Sequence, residues 1–543
     1  MLAAASCVPH GAPPKNDVPP AATPVTMLFT DLGDLHHAVT ASKAAQPFFD
    51  QGLRLIYGFN HAEAIRSFQE AIRLDPECAM AYWGVALALG PNYNLPSDPE
   101  SEALARKMTL MARALEPKVT PPERDYIEAV ARRYAGAPAA DRRSLDADYA
   151  NAMREVAKKH PDDLDAQVLF AESMMDLRPW MLWDHEGNPA PGTEEINATL
   201  ERVLVKDPRH PGANHYYMHA QEAGPHPEKA KPCADRMPSL MPGAGHLVHM
   251  PSHIYIHTAD WKAASEANEK AIDVDRAYLA KAKPQGAYPM MYVGHNFQFL
   301  WATASMEGRS AVAIKAARDM AALYSEPMIT EMSKQMPGLD YVLVPPMVAL
   351  VRFGKWQEVL NTPPPPREFR NLTAMWHFTR ALALARTGDT KQARTEQEEL
   401  ARFVIALKDD DMVGPLNSAR SVFTVATKML ASELDAAEGE QSDAIALMEE
   451  AVAAEDALNY DEPPPWPLPT RQYLGALYLD AKRPADAIKV YQADLKRSPE
   501  NGWSLFGLSQ AYQMGRAIEA KDAQERFKKA WSRADVTITS SRF

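Results

Sequence analysis

The chain has 543 residues with 58 basic and 71 acidic side chains, a formal net charge of −13, and 46% of its residues are hydrophobic. An acidic balance without basic runs argues against nucleic acid or an anionic membrane surface as partner, and no run approaches the ~18 apolar residues of a membrane span. Three scattered cysteines exclude a disulfide framework and a thiolate-rich metal site.

In chain order, residues 8–24 (VPHGAPPKNDVPPAATP) cannot bury a core, and 1–24 reads as a disordered leader. LAAASC ends at Cys7, and small residues before a cysteine resemble the tail of a bacterial lipoprotein signal. The expectation is an exported protein, periplasmic or secreted, with a lipid anchor at that cysteine. Beyond it, Gly is scarce (25) and the 45 prolines fall between Ala-, Leu-, Glu- and Lys-rich stretches, the punctuation of an all-α fold.

Residues 45–78 hold Phe48, Gly52, Ala64, Phe68, Ala71 and Pro76. This spacing follows the 34-residue tetratricopeptide pattern, two antiparallel helices A and B crossing at small residues. A unit starting at 79 is interrupted by GPNYNLPSDP at 90–99, and 146–208 reads as helix pairs with an insertion at 177–193. Units starting at 211 and 245 are one period apart, as are 468 and 502, while units near 294, 340 and 374 are framed by Gly308, Gly354 and Gly388. The prediction is a tetratricopeptide-repeat (TPR) helical solenoid of eight or more helix pairs with a concave groove. Its segments are N-terminal repeats at 25–208, a central His-rich set at 209–330, and C-terminal repeats with a cap at 331–543.

Nine of the 16 histidines lie between 210 and 295. Groove-facing positions of helix A are roughly 2, 5, 9, 12 and 13; steps of four advance about 40° and a step of three recedes about 60°, which gives one stripe. His215, His219 and Glu222 occupy such positions in the unit at 211; His246, His249, His253 and His257 in the unit at 245; and His295 in the unit at 294. Imidazoles at i and i+4 share one ion, and a neighbouring helix completes the shell. Nitrogen ligands with one carboxylate suit Cu, Fe or Zn and argue against Ca or Mg. The nearby Met218, Met237, Met241, Met250, Met290 and Met291 tilt the choice to copper, although a methionine is individually more often core. A groove that hydrogen-bonds a peptide or an anion is the alternative.

Pro251 falls inside HLVHMPSHIYIH, so the backbone breaks there, either as a kink or as a new helix start. Tyr255, Tyr292 and Asn296 are candidates to orient the imidazoles, and Glu222 is either a ligand or a general base. GPNYN at 90–94 and RPWMLWDHEG at 178–187 are candidate roofs of the groove.

The segments FDQGLRLIYGFNHAEAIRSFQEAI, AYWGVALALGPNYN, NHYYMHAQEA, GAGHLVHMPSHIYIH, YVGHN, DEPPPWPLP and NGWSLFGLSQA resemble a group of bacterial tetratricopeptide proteins with a His-rich groove. That resemblance implies a shared motif at Asn214, His215, His219, Glu222, His246, His249, His253, His295 and Asn296, with His257 departing from it where a basic residue such as Arg is expected. The expected function is a metal-binding TPR protein with a mononuclear or dinuclear site, a copper- or iron-dependent oxidoreductase acting on a small molecule or peptide, with Glu222 and Tyr292 as catalytic residues. The rivals are a peptide-binding scaffold, a zinc-dependent hydrolase and a metal chaperone.

Overall fold

The computed structural model describes residues 25–134, 136, 141–282, 288–334, 336, 338–414, 416–514 and 517–543. The leader expected at 1–24, with Cys7, therefore lies outside the described residues. The described chain is all-α, apart from the short antiparallel strands Met412–Val413 and Asn417–Ser418. None of its helices is long and apolar enough to cross a membrane.

Several helices begin at a side-chain cap. Asn60, Asp163, Asp389 and Asn501 each accept a hydrogen bond from a backbone N–H in the first turn that follows. Successive helices then pack in pairs, and glycines within the helices mark the crossings. A Cβ on Gly52 or on Gly84 would come within 2.5 Å of the Phe68 ring, so two A helices close on opposite sides of one B-helix aromatic.

The chain divides into two units, elsewhere than at 208 and 330. Unit one holds the described residues up to Leu182, with Pro189–Ala220 and Leu240–Gly243; unit two holds Trp183–Asn188, Gln221–Ser239 and Ala244–Phe543. Residues 183–188 join unit two because Trp183 packs on Gly224, where a Cβ would stand 2.8 Å from the indole.

Unit one pairs Gln46–Tyr57 with His61–Leu74, Ala79–Ala88 with Pro99–Ala114, Pro121–Arg133 with Arg143–Lys159, and Leu164–Met175 with Thr193–Lys206. Residues 25–45, assigned to the repeats by sequence, form a non-helical strap instead. Buried side chains hold it: Val25 N–H donates to Glu70 (2.9 Å), Phe29 N–H to Gln51 (2.7 Å), and the Thr40 hydroxyl to Glu123 (2.7 Å).

Unit two runs from Gly245–His249, Pro251–His257 and Trp261–Ala282 to the pairs Thr470–Asp480/Pro484–Arg497 and Gly502–Gln513/Ala517–Ala530. It includes the pair Ala419–Glu438/Gln441–Asp456, which the repeat frame did not mark. The stack returns on itself. Trp261 Nε1 donates to Pro499 O (2.7 Å), Trp503 Nε1 donates to Ser305 O (2.8 Å), and Asp535 accepts from Ser310 N (2.7 Å) and Ala311 N (3.0 Å). The carboxy-terminal repeats, expected as a cap, thus close unit two.

Candidate metal centre

Pro251 cannot donate, and the A helix of the unit at 245 breaks into Gly245–His249 and Pro251–His257, joined through Met250. His253 N–H bonds the Met250 carbonyl at 3.2 Å, a three-residue step at the joint. Across this joint His249 Nε2 and His253 Nε2 approach to 2.9 Å. His295, on Tyr288–Met306, supplies the third imidazole; nitrogens of His249, His253 and His295 lie within 4.8 Å of one another. Phe299 closes the cluster, with its ring 4.4–5.0 Å from all three imidazoles, centroid to centroid.

The outer nitrogens are held by other elements. His249 Nδ1 donates to Asn268 Oδ1 at 2.6 Å. His253 Nδ1 faces two carboxylates, Glu222 at 3.0 Å and Glu462 in a shorter contact. Glu462 also lies 2.5 Å from His257 Nε2 and accepts from the Tyr460 hydroxyl. His249, His253, Glu222 and Glu462 are all buried. Burial lowers the basicity of His253, but Glu222 and Glu462 outweigh it and raise its pKa to about 10. Burial and the neighbouring His253 lower His295 to about 3. For Glu462 burial opposes ionisation, and His257 and His253 more than offset it, so its pKa is lowered. The two carboxylates thus favour the protonated form of His253, whose Nε2 faces that of His249.

The other expected residues are distributed differently. His246 stacks on His249 with centroids 5.8 Å apart and meets Tyr292 edge-on at 4.7 Å, so Tyr292 stands beside His246 and not at the imidazole trio. Tyr255 is corrected: its hydroxyl donates to Asp235 at 2.9 Å, because two residues along a helix from His253 is a turn of about 200°. Asn296 donates to Asp275 at 2.6 Å, and Asn214 donates to the carbonyls of Pro208 (2.9 Å) and His210 (2.8 Å). The methionines Met218, Met237, Met241 and Met250 are core. Asn268, Glu462 and Tyr460 were missed by sequence; DEPPPWPLP stood out only as a segment of resemblance.

In unit one, His215 Nδ1 donates to Tyr57 O at 2.7 Å, and its ring lies 4.8 Å from that of His219. The two candidate roofs meet here. Tyr93 stacks on Trp180 at 5.3 Å, and His219 contacts Tyr93 at 5.1 Å and Trp180 at 5.8 Å.

No family model matches the chain, and no curated protein matches it. Among solved structures it is similar to the human IFIT1 dimer with m7Gppp-AAAA, at 12% identity and TM-score 0.33 over 91% of this chain and 95% of that one. It is also similar to the APC/C hetero-tetramer Cut9–Hcn1 (13%, 0.32, 86% and 76%) and to yeast Tom70 (12%, 0.28, 89% and 93%). At these scores neither a ligand nor a partner carries across. What stands is a chain of tetratricopeptide-type helix pairs with a buried histidine cluster in unit two.

Proposed function

We propose that the protein binds a transition-metal ion through His249, His253 and His295. The observation that carries this reading is the 2.9 Å approach of two Nε2 atoms whose Nδ1 atoms are both engaged. Two nitrogens each about 2.05 Å from one ion and 2.9 Å apart subtend about 90°, an ordinary coordination angle. Asn268 on His249, and Glu222 with Glu462 on His253, are the outer partners that fix tautomer and ring plane in metal-binding histidines.

Three imidazoles leave positions open for dioxygen or a substrate, which favours an oxidoreductase using copper or iron. A zinc hydrolase with Glu222 as base fits less well. Glu222 is turned to Nδ1 of His253, whereas a metal-bound water would lie on the Nε2 side. Copper or iron would supply the electron transfer; His249, His253 and His295 hold the ion, and Phe299 walls it from one side.

Elemental analysis of purified protein beside the His249→Ala/His253→Ala variant tests this. Copper or iron lost in the variant, with helical circular dichroism intact, is the expected result. Zinc in its place would redirect the chemistry to hydrolysis. No metal in either protein after loading would overturn the reading and leave a peptide-binding repeat scaffold.

A further inference from the structure

We infer that His253 bridges two metal ions, and that Glu222, Glu462 and His257 build the second site on its Nδ1 side. The inference rests on the metal reading above and concerns the opposite edge of the same ring. A histidine bound to metal through Nε2 is neutral and has one N–H to offer, at Nδ1. One carboxylate satisfies that hydrogen. Here two buried carboxylates converge on it, Glu222 Oε2 at 3.0 Å and Glu462 Oε2 closer still.

Behind them the arrangement continues as a ligand set. The second Glu462 oxygen is 2.5 Å from His257 Nε2, and the Tyr460 hydroxyl reaches the same oxygen. The ligand atoms of Glu222, His253 and Glu462 lie within 4.8 Å of one another. His257 beside them is partly exposed. A divalent ion on Nδ1 supplies positive charge between the two carboxylates. It displaces the Nδ1 proton to solvent, turns the ring into a bridging imidazolate, and takes oxygen from Glu222 and Glu462 and nitrogen from His257. A set of two carboxylates and two imidazoles suits zinc.

The test loads metal-free protein with Zn2+ and measures the zinc retained after dialysis, with circular dichroism as the check on folding. Glu462→Gln is expected to retain one equivalent fewer than wild type, His249→Ala one fewer, and the double variant two fewer. In a Cu2+-loaded sample, two ions coupled across an imidazolate give an integrated electron paramagnetic resonance signal below the copper content, and Glu462→Gln restores it. Equal zinc in wild type, Glu462→Gln and Glu222→Gln would overturn the second site and leave the first standing. An uncoupled copper signal at full loading would overturn the bridge. Zinc-free and copper-free wild type would remove both sites.

Discussion

Asn268 holds His249 by a bond that cannot be reversed. Its Oδ1 lies 2.6 Å from His249 Nδ1, while its Nδ2 donates to Ala264 O at 2.8 Å, one helical turn back. A flipped amide would turn Oδ1 against the Ala264 carbonyl and lose the backbone bond. Asn268 therefore selects the His249 tautomer with the proton on Nδ1 and lone pair on Nε2.

Removing that constraint is expected to weaken metal binding without unfolding the protein. Asn268→Ala should lower affinity about 10- to 100-fold, the usual cost of losing a partner of a ligating histidine. Competition with a chromophoric chelator measures it. Asn268→Asp keeps an acceptor at the same place and should recover most of the affinity.

Asp165 pins the strap of unit one. It accepts from the Tyr57 hydroxyl at 2.6 Å and meets His37 at 2.7 Å and His210 at 3.2 Å. Asp165→Ala strands these groups and is expected to cost on the order of 3 kcal/mol. Thermal unfolding reads the loss, and limited proteolysis should cleave residues 25–45 earlier than in wild type.

Glu172 and Asp176 share a buried corner with Arg133, whose Nη2 lies 2.5 Å from Asp176. Burial and mutual repulsion raise the Glu172 pKa, and burial raises that of Asp176. The folded state thus binds more protons than the unfolded one. Stability from this pair is complete below about pH 4, the value of an unfolded carboxylate, and is lost as pH rises through the raised values. Glu172→Gln, which keeps a donor at all pH, should flatten the fall of melting temperature between pH 5 and pH 8, a window of about 1.4 kcal/mol per unit for one proton. An unchanged slope would contradict this assignment.

A fourth expectation concerns the repeat crossing. Gly475 and Gly507 flank Tyr491, and a Cβ on either would lie 2.3 or 2.2 Å from its ring. Gly475→Ala should cost about 1–3 kcal/mol by overpacking, read as a lower midpoint in urea.

What the sequence made legible follows from its periodicities. Helix pairs show because glycines and aromatics recur at one spacing, and His249, His253 and His295 fall on one stripe for the same reason. Partners brought by tertiary closure leave no such trace. Glu462 is 209 residues from His253 and sits in a proline-rich loop without helical period. Asn268 lies on the B helix, which the groove rule does not scan. The strap was invisible too, since its bonds run from an aperiodic segment to carboxylates scattered over several helices.

The return of unit two on itself sets an order of assembly. His249, His253 and His295 leave the ribosome long before Glu462, and the contact of Trp503 with Ser305 comes later still. A nascent chain therefore displays all three imidazoles before the Glu462 carboxylate that faces His253 Nδ1 has been made. On the metal reading proposed above, the imidazoles gain their outer partners only when unit two has closed, so selection among metals would follow folding.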